Sequence, residues 1–494
     1  MEGLTNTAIL WRGGGAGGSV ISGYPPAKCT NLVAKAKNAS VALTWNDPED
    51  ITVSGSITIK WAKTVVVRKV GSYPTSEEDG VVVVSSTIRN QYASNPYVDS
   101  GLTNHTKYYY AAFSCSEDGV YNREMVTATA TPIPYKTMTV RIDLNNSNPA
   151  NCGSYADAAV GMTAGKNVPA WDEFFGYKPC LFKDGRVVGY LNPNDYGKFA
   201  DGRTADITSG NAGDVMVEFP RRGLKISKSG KILTVSMTDD PNNPEFTYYA
   251  HTRGSASRDY FYMGAYLGYV NGSKLRSLSG KSPTTDTSLS TFRTYAKNLG
   301  TGYMEVAFYQ FLFLQCMYLL QYKGNLQSQS AHGYGYCSTG SKSNTGATNT
   351  KGMMYGSSSG TDHVKLFGIE DFWGNLYWLM DGYYVDGSYN ILTTTDNFND
   401  NGSGYKNNGR VGLTSNSGGY YSDVIGTSET GLTPKAFNGS TSTYFCDYGS
   451  FGSYGVPYVG GRWDDSAYAG AFQFCVYWSP GSSDGYMGGR LGYL

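Results

Sequence analysis

The chain has 494 residues, and its 40 Lys and Arg balance 40 Asp and Glu, so net charge is zero. That excludes a broad basic surface for nucleic acid or for anionic membrane. Only 16% of residues are charged, while Gly numbers 63 and Tyr 42, a composition of strands joined by turns and long loops.

Residues 1–23 are read as a short Gly-rich attachment segment carrying the run Gly13 to Gly18. The run contains G-x-G-x-x-G, but Tyr24-Pro25-Pro26 follows where a dinucleotide site needs a helix, so nucleotide binding is not expected. No cationic, apolar leader opens the chain, and the Asn38 and Asn104 sequons are therefore given no role. Residues 24–133 read as one β-sandwich. Val41, Leu43 and Trp45 share the period of a half-buried strand, and Thr64–Val70, Val81–Ser85 and Tyr108–Phe113 are further strand-like runs. Thr131-Pro132-Ile133-Pro134 reads as a linker. Residues 134–250 are strand-rich, opening with Thr139–Ile142 and turning at Asp184-Gly185 and Asp201-Gly202. Thr291–Leu299 and Met304–Tyr322 are the clearest helices. The second is apolar nearly all round and is interrupted by Glu305, Gln310, Gln315 and Gln321, which suits a buried core helix and not a membrane span. The eight cysteines are scattered without C-x-x-C, so reduced, buried thiols are expected and no zinc site; one or two disulfides stay open.

Three segments carry resemblances. Leu102-Thr103-Asn104-His105-Thr106-Lys107-Tyr108 resembles the L-x-P-x-T-x-Y stretch of fibronectin type III domains, with Asn104 in place of the family's Pro. It implies a spacer domain in which Tyr108 caps backbone at a sheet crossover. Phe367 to Trp378 resembles the G-L-x-D-M-x-G-N-V-W-E-W segment of formylglycine-generating enzymes and their C-type-lectin-like relatives. Val459-Gly460-Gly461-Arg462-Trp463 and Gly488-Gly489-Arg490-Leu491 resemble the same fold's closing motifs. The oxidases of that group need paired cysteines after the G-G-x-W run; here Asp464-Asp465-Ser466-Ala467-Tyr468 stands there, and Trp378 replaces a Glu. The resemblance therefore implies the fold without the copper chemistry, and no enzyme is expected.

The terminal segment is more similar to the variable proteins of diversity-generating retroelements, many carried on phage tail fibres. Gly460-Gly461-Arg462-Trp463, Ala469-Gly470-Ala471-Phe472 and Gly488-Gly489-Arg490-Leu491 match that pattern without a gap. Residues at the family's Asn positions or its open position are Arg462, Asp464, Asp465, Tyr468, Cys475, Tyr477, Trp478, Ser482, Asp484 and Tyr486. Template adenines are mutated in such elements, so Asn codons can become many residues, but not Lys, Glu, Gln, Met or Trp. From Thr441 to Leu494 there is no Lys, Glu or Asn, and only Trp478 of the ten breaks the rule. Tyr, Ser and Gly fill about half of that stretch, the composition of antibody paratopes.

These resemblances imply a mainly β chain with some α: a fibronectin type III β-sandwich, then a C-type-lectin-like α+β domain over 251–494, with 134–250 leading into it and a variable segment at about 441–494. The ligand-binding set expected is Arg462, Asp464, Asp465, Tyr468, Cys475, Tyr477, Ser482, Asp484 and Tyr486, extended by Gly449, Phe451, Tyr454, Val456 and Tyr458. Phe472, Trp463, Trp373 and Trp378 are assigned to the core. Glu370 and Asp371 are adjacent, so on a strand they face opposite ways and form no acid–base pair. No cofactor is expected; calcium at Asn375 and Asp381 is the alternative. The implied protein is a receptor-binding component of a phage tail, assembled in the bacterial cytoplasm and carried on the virion. Its expected partners are a host surface protein or glycan, other tail proteins and two further copies in a homotrimer, without nucleic acid or membrane insertion. A glycan-degrading tail enzyme with paired carboxylates, a bacterial surface adhesin of the same fold, which should carry a leader, and a fixed structural fibre protein are the rivals.

Overall fold

A computed structural model describes residues 23–494 apart from 54–56 and 411. The Gly13–Gly18 run lies outside the described residues. Strand outweighs helix, 39% against 9%, so the chain is mainly β. It divides into two compact units, 1–135 and 136–494.

In the first unit, Thr30–Lys37, Ser40–Asn46 and Tyr97–Ser100 form a three-stranded antiparallel sheet. Val81–Ser86, Trp61–Val70, Tyr108–Ser116 and Val126–Ala130 form a four-stranded one in that order. Val41, Leu43 and Trp45 are buried together with Val66, Tyr110 and Ala112, as the alternation predicts. Several buried polar groups are paired. The Trp45 indole and the Thr64 hydroxyl both donate to Asp47, at 2.9 and 2.6 Å. Tyr110 donates to Asp99 at 2.9 Å, and Arg68 pairs with the same carboxylate at 2.6 Å. The Tyr108 hydroxyl accepts the Thr103 amide at 3.0 Å, tying the strand to the turn that precedes it. Asn104 uses its side chain there: Oδ1 accepts the Ala39 amide at 2.9 Å and Nδ2 donates to Asn38.

The second unit is built on three larger sheets. Gly153–Asp157, Thr137–Asp143, Ile232–Thr238 and Gly223–Ser229 make the first. The second has seven strands in the order Asp195–Phe199, Arg186–Asn192, Lys178–Lys183, Asp214–Pro220, Tyr260–Gly264, Leu491–Tyr493 and Tyr303–Glu305. Residues from 134–250 and from the end of the chain thus share one sheet, and the region 134–250 is not a separate domain. Asp184 and Gly185 both take positive φ, 51° and 76°, the backbone of a two-residue hairpin turn between Lys178–Lys183 and Arg186–Asn192. The third sheet runs Ser417–Tyr420, Tyr448–Phe451, Phe474–Trp478, Val456–Val459, Tyr377–Leu379, Met487–Gly488.

The core helix is Phe308–Gln321, every residue of it buried. It begins later than the sequence suggests, because Met304 and Glu305 belong to the strand Tyr303–Glu305. The glutamines inside it each donate an amide N–H: Gln310, Gln315 and Gln321 donate to the carbonyls of Ala250, Ala471 and Gly165 at 2.7, 2.8 and 3.0 Å, while the amide oxygens of Gln310 and Gln321 accept no bond. The other expected helix is Leu289–Lys297, set two residues earlier by Ser288, whose hydroxyl accepts the Thr291 amide as an N-cap. The helix Pro169–Phe175 was not read from sequence; Pro at its start and Gly176 at φ 70° bound it. All eight cysteines are buried and unpaired. No helix among the described residues is long and apolar enough to cross a membrane.

Candidate functional site

The strand Phe474–Trp478 lies inside the third sheet, parallel to Tyr448–Phe451 and antiparallel to Val456–Val459. Its alternation sorts the side chains. Phe474 and Val476 enter the core, while Tyr477 stands outward, 49% exposed. Cys475 shares the outward parity but is only 4% exposed. Ser450 and Tyr458 oppose it in register on either side, and the Gln473 amide donates to its sulfur at 3.2 Å. Burial pushes the thiol up to about 12. Cys475 therefore leaves the expected contact set: on an inner strand its neighbours roof it over.

The turn after Gly461 is held by charge. Arg462 Nε lies 2.6 Å from Asp464 and 3.3 Å from Asp465, and its guanidinium sits 3.7 Å above the Tyr486 ring. Asp464 is exposed, but Asp465 is buried and accepts the Arg462 amide at 3.1 Å. Burial raises the Asp465 carboxyl above its usual range against the opposing pull of a Tyr377 hydrogen bond and Arg462. Asp465 is thus part of the scaffold and not a contact residue. Trp463, expected in the core, is only partly buried; its ring lies 5.1 Å from that of Tyr486. Ser482, Asp484 and Tyr486 are half-buried, and Asp484 closes a turn by accepting the Tyr486 amide at 3.0 Å.

The remaining side chains join an aromatic cluster that is partly exposed. Tyr468, 48% exposed, packs against Tyr448 at 5.0 Å and Tyr420 at 5.7 Å. Tyr448 also neighbours Tyr477, which meets Tyr458 at 5.8 Å. Tyr458 in turn meets Trp478 at 5.5 Å and Tyr377 at 5.2 Å. Of the expected extension, Tyr454 is 63% exposed, whereas Gly449, Phe451, Val456 and Tyr458 are buried. Sequence reasoning missed Tyr420, Tyr448 and Tyr377. Tyr420 and Tyr377 lie outside the terminal segment, and Tyr448 lay outside the matched stretch; only the sheet order brings them in.

Buried residues underlie this surface. Phe472, Trp373 and Trp378 are fully buried. The Arg490 guanidinium is also fully buried, donating to the carbonyls of Gly264, Glu370 and Asp371 at 3.0, 2.9 and 3.0 Å and lying 4.3 Å from the Trp378 ring. Gly489 admits no side chain, since a Cβ there would come within 2.8 Å of Glu305 and 2.9 Å of Phe292.

The acidic pair behaves differently from its strand reading. The strand ends at Glu370, and Asp371 takes φ 51°, so alternation is lost and both carboxylates reach within 4.8 Å of His363 and of one another. All three are buried and already bonded. Glu370 accepts from the Gly346 and Thr348 amides at 2.6 and 2.7 Å, and Asp371 accepts from His363 Nδ1 at 2.8 Å and Asn375 at 2.8 Å. Burial opposes charge on His363, but Asp371 prevails and raises its pKa to about 9. The Asp371 carboxylate thus favours the protonated imidazole. The calcium alternative also meets occupied oxygens: Asn375 Oδ1 accepts the Ser343 amide at 2.9 Å, and Asp381 accepts a forked Arg293 at 2.6 to 3.1 Å. Arg293 already supplies the positive charge that faces Asp381.

Compared with known proteins, the sequence matches no family model and no curated protein at significance.

Proposed function

We propose that the chain is a receptor-binding protein of a phage tail, with a C-type-lectin-like second unit that displays a diversified, tyrosine-rich surface. The first unit serves as a fibronectin type III-like spacer; its three-plus-four strand arrangement and the Tyr108 to Thr103 hydrogen bond support that assignment. The observation that carries the reading is the sorting of the terminal segment. Tyr468, Tyr477 and Asp464, at positions a retroelement would rewrite, are exposed, while the invariant-type residues Phe472, Gly489 and Arg490 are buried. Tyrosine supplies broad amphipathic contact at low rotamer cost, which suits a surface that must accept changing partners. On this reading the function is adhesion without catalysis, the chain acts as a homotrimer whose repeated weak contacts add by avidity, and the receptor is a host surface protein or glycan.

Sequencing the genome downstream of the Leu494 codon tests the diversification. A reverse transcriptase and a near-copy of the last ~150 bases, differing only at adenines, is the expected result, with Arg462, Asp464, Tyr468, Tyr477 and Tyr486 among the differing codons. A copy whose differences fall on the codons of Phe472 or Arg490 instead would refute it.

A further inference from the structure

A polar groove of about 620 Å³ opens beside the tyrosine surface. Lys166, Gln329, Ser330, Tyr334, Ser357 and Ser358 are among its walls, and no carboxylate is among the lining residues. It is joined to the terminal segment at Ser466. Gln329 Nε2 donates to the Ser466 carbonyl at 2.8 Å, and the Tyr334 hydroxyl lies 3.2 Å from Ser466 Oγ. Tyr334, half-buried, is the aromatic ring among the residues that line the groove besides the His332 imidazole.

The charge in the groove comes from one side chain. Lys166 Nζ donates to the carbonyls of His332 and Gly356 at 3.1 and 2.8 Å. Two carbonyls hold the ammonium in place but neutralise nothing, and its third N–H remains available. Among the described residues no carboxylate pairs with Lys166; Asp362 touches the lining through the Ser357 hydroxyl at 2.6 Å. His332 contributes no charge, because burial, reinforced by Lys166, lowers its pKa to about 4.

We infer that this groove binds an acidic oligosaccharide, its carboxylate or phosphate on Lys166, its hydroxyls on the Gln329, Ser330, Ser357 and Ser358 side chains, and an apolar sugar face on the Tyr334 ring. The volume falls within the roughly 300–1,000 Å³ typical of small-ligand sites. Sugars pair hydroxyl edges with C–H faces, and the groove pairs amides and hydroxyls with the Tyr334 ring. The inference rests on the receptor-binding reading and narrows its partner to an anionic glycan.

The test is calorimetry on the full chain with oligogalacturonate, oligosialate and a phosphorylated oligomannose, each beside a neutral counterpart, and with oligoglutamate as the peptide control. An acidic glycan binds at least tenfold tighter than its carboxyl-reduced or dephosphorylated form, and which acidic probe binds separates carboxylate from phosphate. Lys166→Gln removes that preference. Should that variant misfold, the wild-type chain still answers, since an ammonium-driven preference shrinks as salt rises. Failure of every acidic glycan to bind, equal binding of neutral forms, or equal binding of oligoglutamate overturns the inference. Adhesion of the chain to receptor-bearing cells is scored separately: adhesion without acidic-glycan binding removes the groove inference alone, and no adhesion removes the receptor-binding reading with it.

Discussion

Asp447 offers the sharpest physical test. It is fully enclosed beside the terminal segment, where its carboxylate accepts the Phe472 amide at 2.8 Å and the Ser328 hydroxyl at 3.4 Å. Burial outweighs those bonds and raises its pKa to about 8. Between the unfolded value near 4 and the folded value near 8, the folded state keeps a proton that the unfolded chain has lost. Its contribution is therefore fully present below about pH 4, falls as pH rises, and is exhausted above about pH 8. The slope is roughly 1.4 kcal/mol per pH unit, or roughly 4 kcal/mol between pH 5 and pH 8. Asp447→Asn keeps a carbonyl oxygen for the Phe472 amide and removes the titration. Guanidinium unfolding of both proteins from about pH 5 to pH 9 is the assay, read as the difference between them so that other buried acids cancel. The variant should gain on the wild type steadily up to about pH 8 and hold its advantage above it. Parallel stability profiles would refute the reasoning.

Arg490→Met orphans three buried carbonyls and should cost about 3–5 kcal/mol, measured as a lower denaturation midpoint; a loss under about 1 kcal/mol would contradict the role assigned to that guanidinium. Tyr468→Ala and Tyr477→Ala should leave stability within about 1 kcal/mol yet weaken adhesion at least tenfold, or about 1.4 kcal/mol, in a surface-binding assay. Unchanged adhesion in both would move the contact surface elsewhere. Tyr108→Phe leaves the Thr103 amide without its acceptor, so local opening around residues 97–116 should become easier by about 1–2 kcal/mol in hydrogen exchange.

Periodicity made much of the first unit legible, because Val41, Leu43 and Trp45 alternate on a strand with one buried face. The core helix was legible for the opposite reason: an all-round apolar run with isolated glutamines has no other place than an interior. What sequence could not supply is lateral neighbours. Cys475 and Tyr477 have the same parity, yet Ser450 and Tyr458 cover the first and not the second. Asp464 and Asp465 are chemically equal in the sequence, and only the turn places one outside and one against Tyr377. Glu370 and Asp371 defeated the alternation argument because a single left-handed residue ends a strand without Gly or Pro to announce it. Tyr420 and Tyr377 joined the surface through strand order, which no local pattern encodes.

The terminal segment is pinned along its length: Phe474–Trp478 is paired on both sides, Met487–Gly488 lies beside Tyr377–Leu379, and Leu491–Tyr493 is clasped between two strands of the seven-stranded sheet. Inserting or deleting one residue before Phe474 would exchange the faces, sending Tyr477 inward and Phe474 outward. On the proposed reading, such a surface would vary in its chemistry but not in its length: a keyboard of fixed keys, unlike binding loops that grow or shrink to reach their partners, giving up reach for a framework that survives every rewriting.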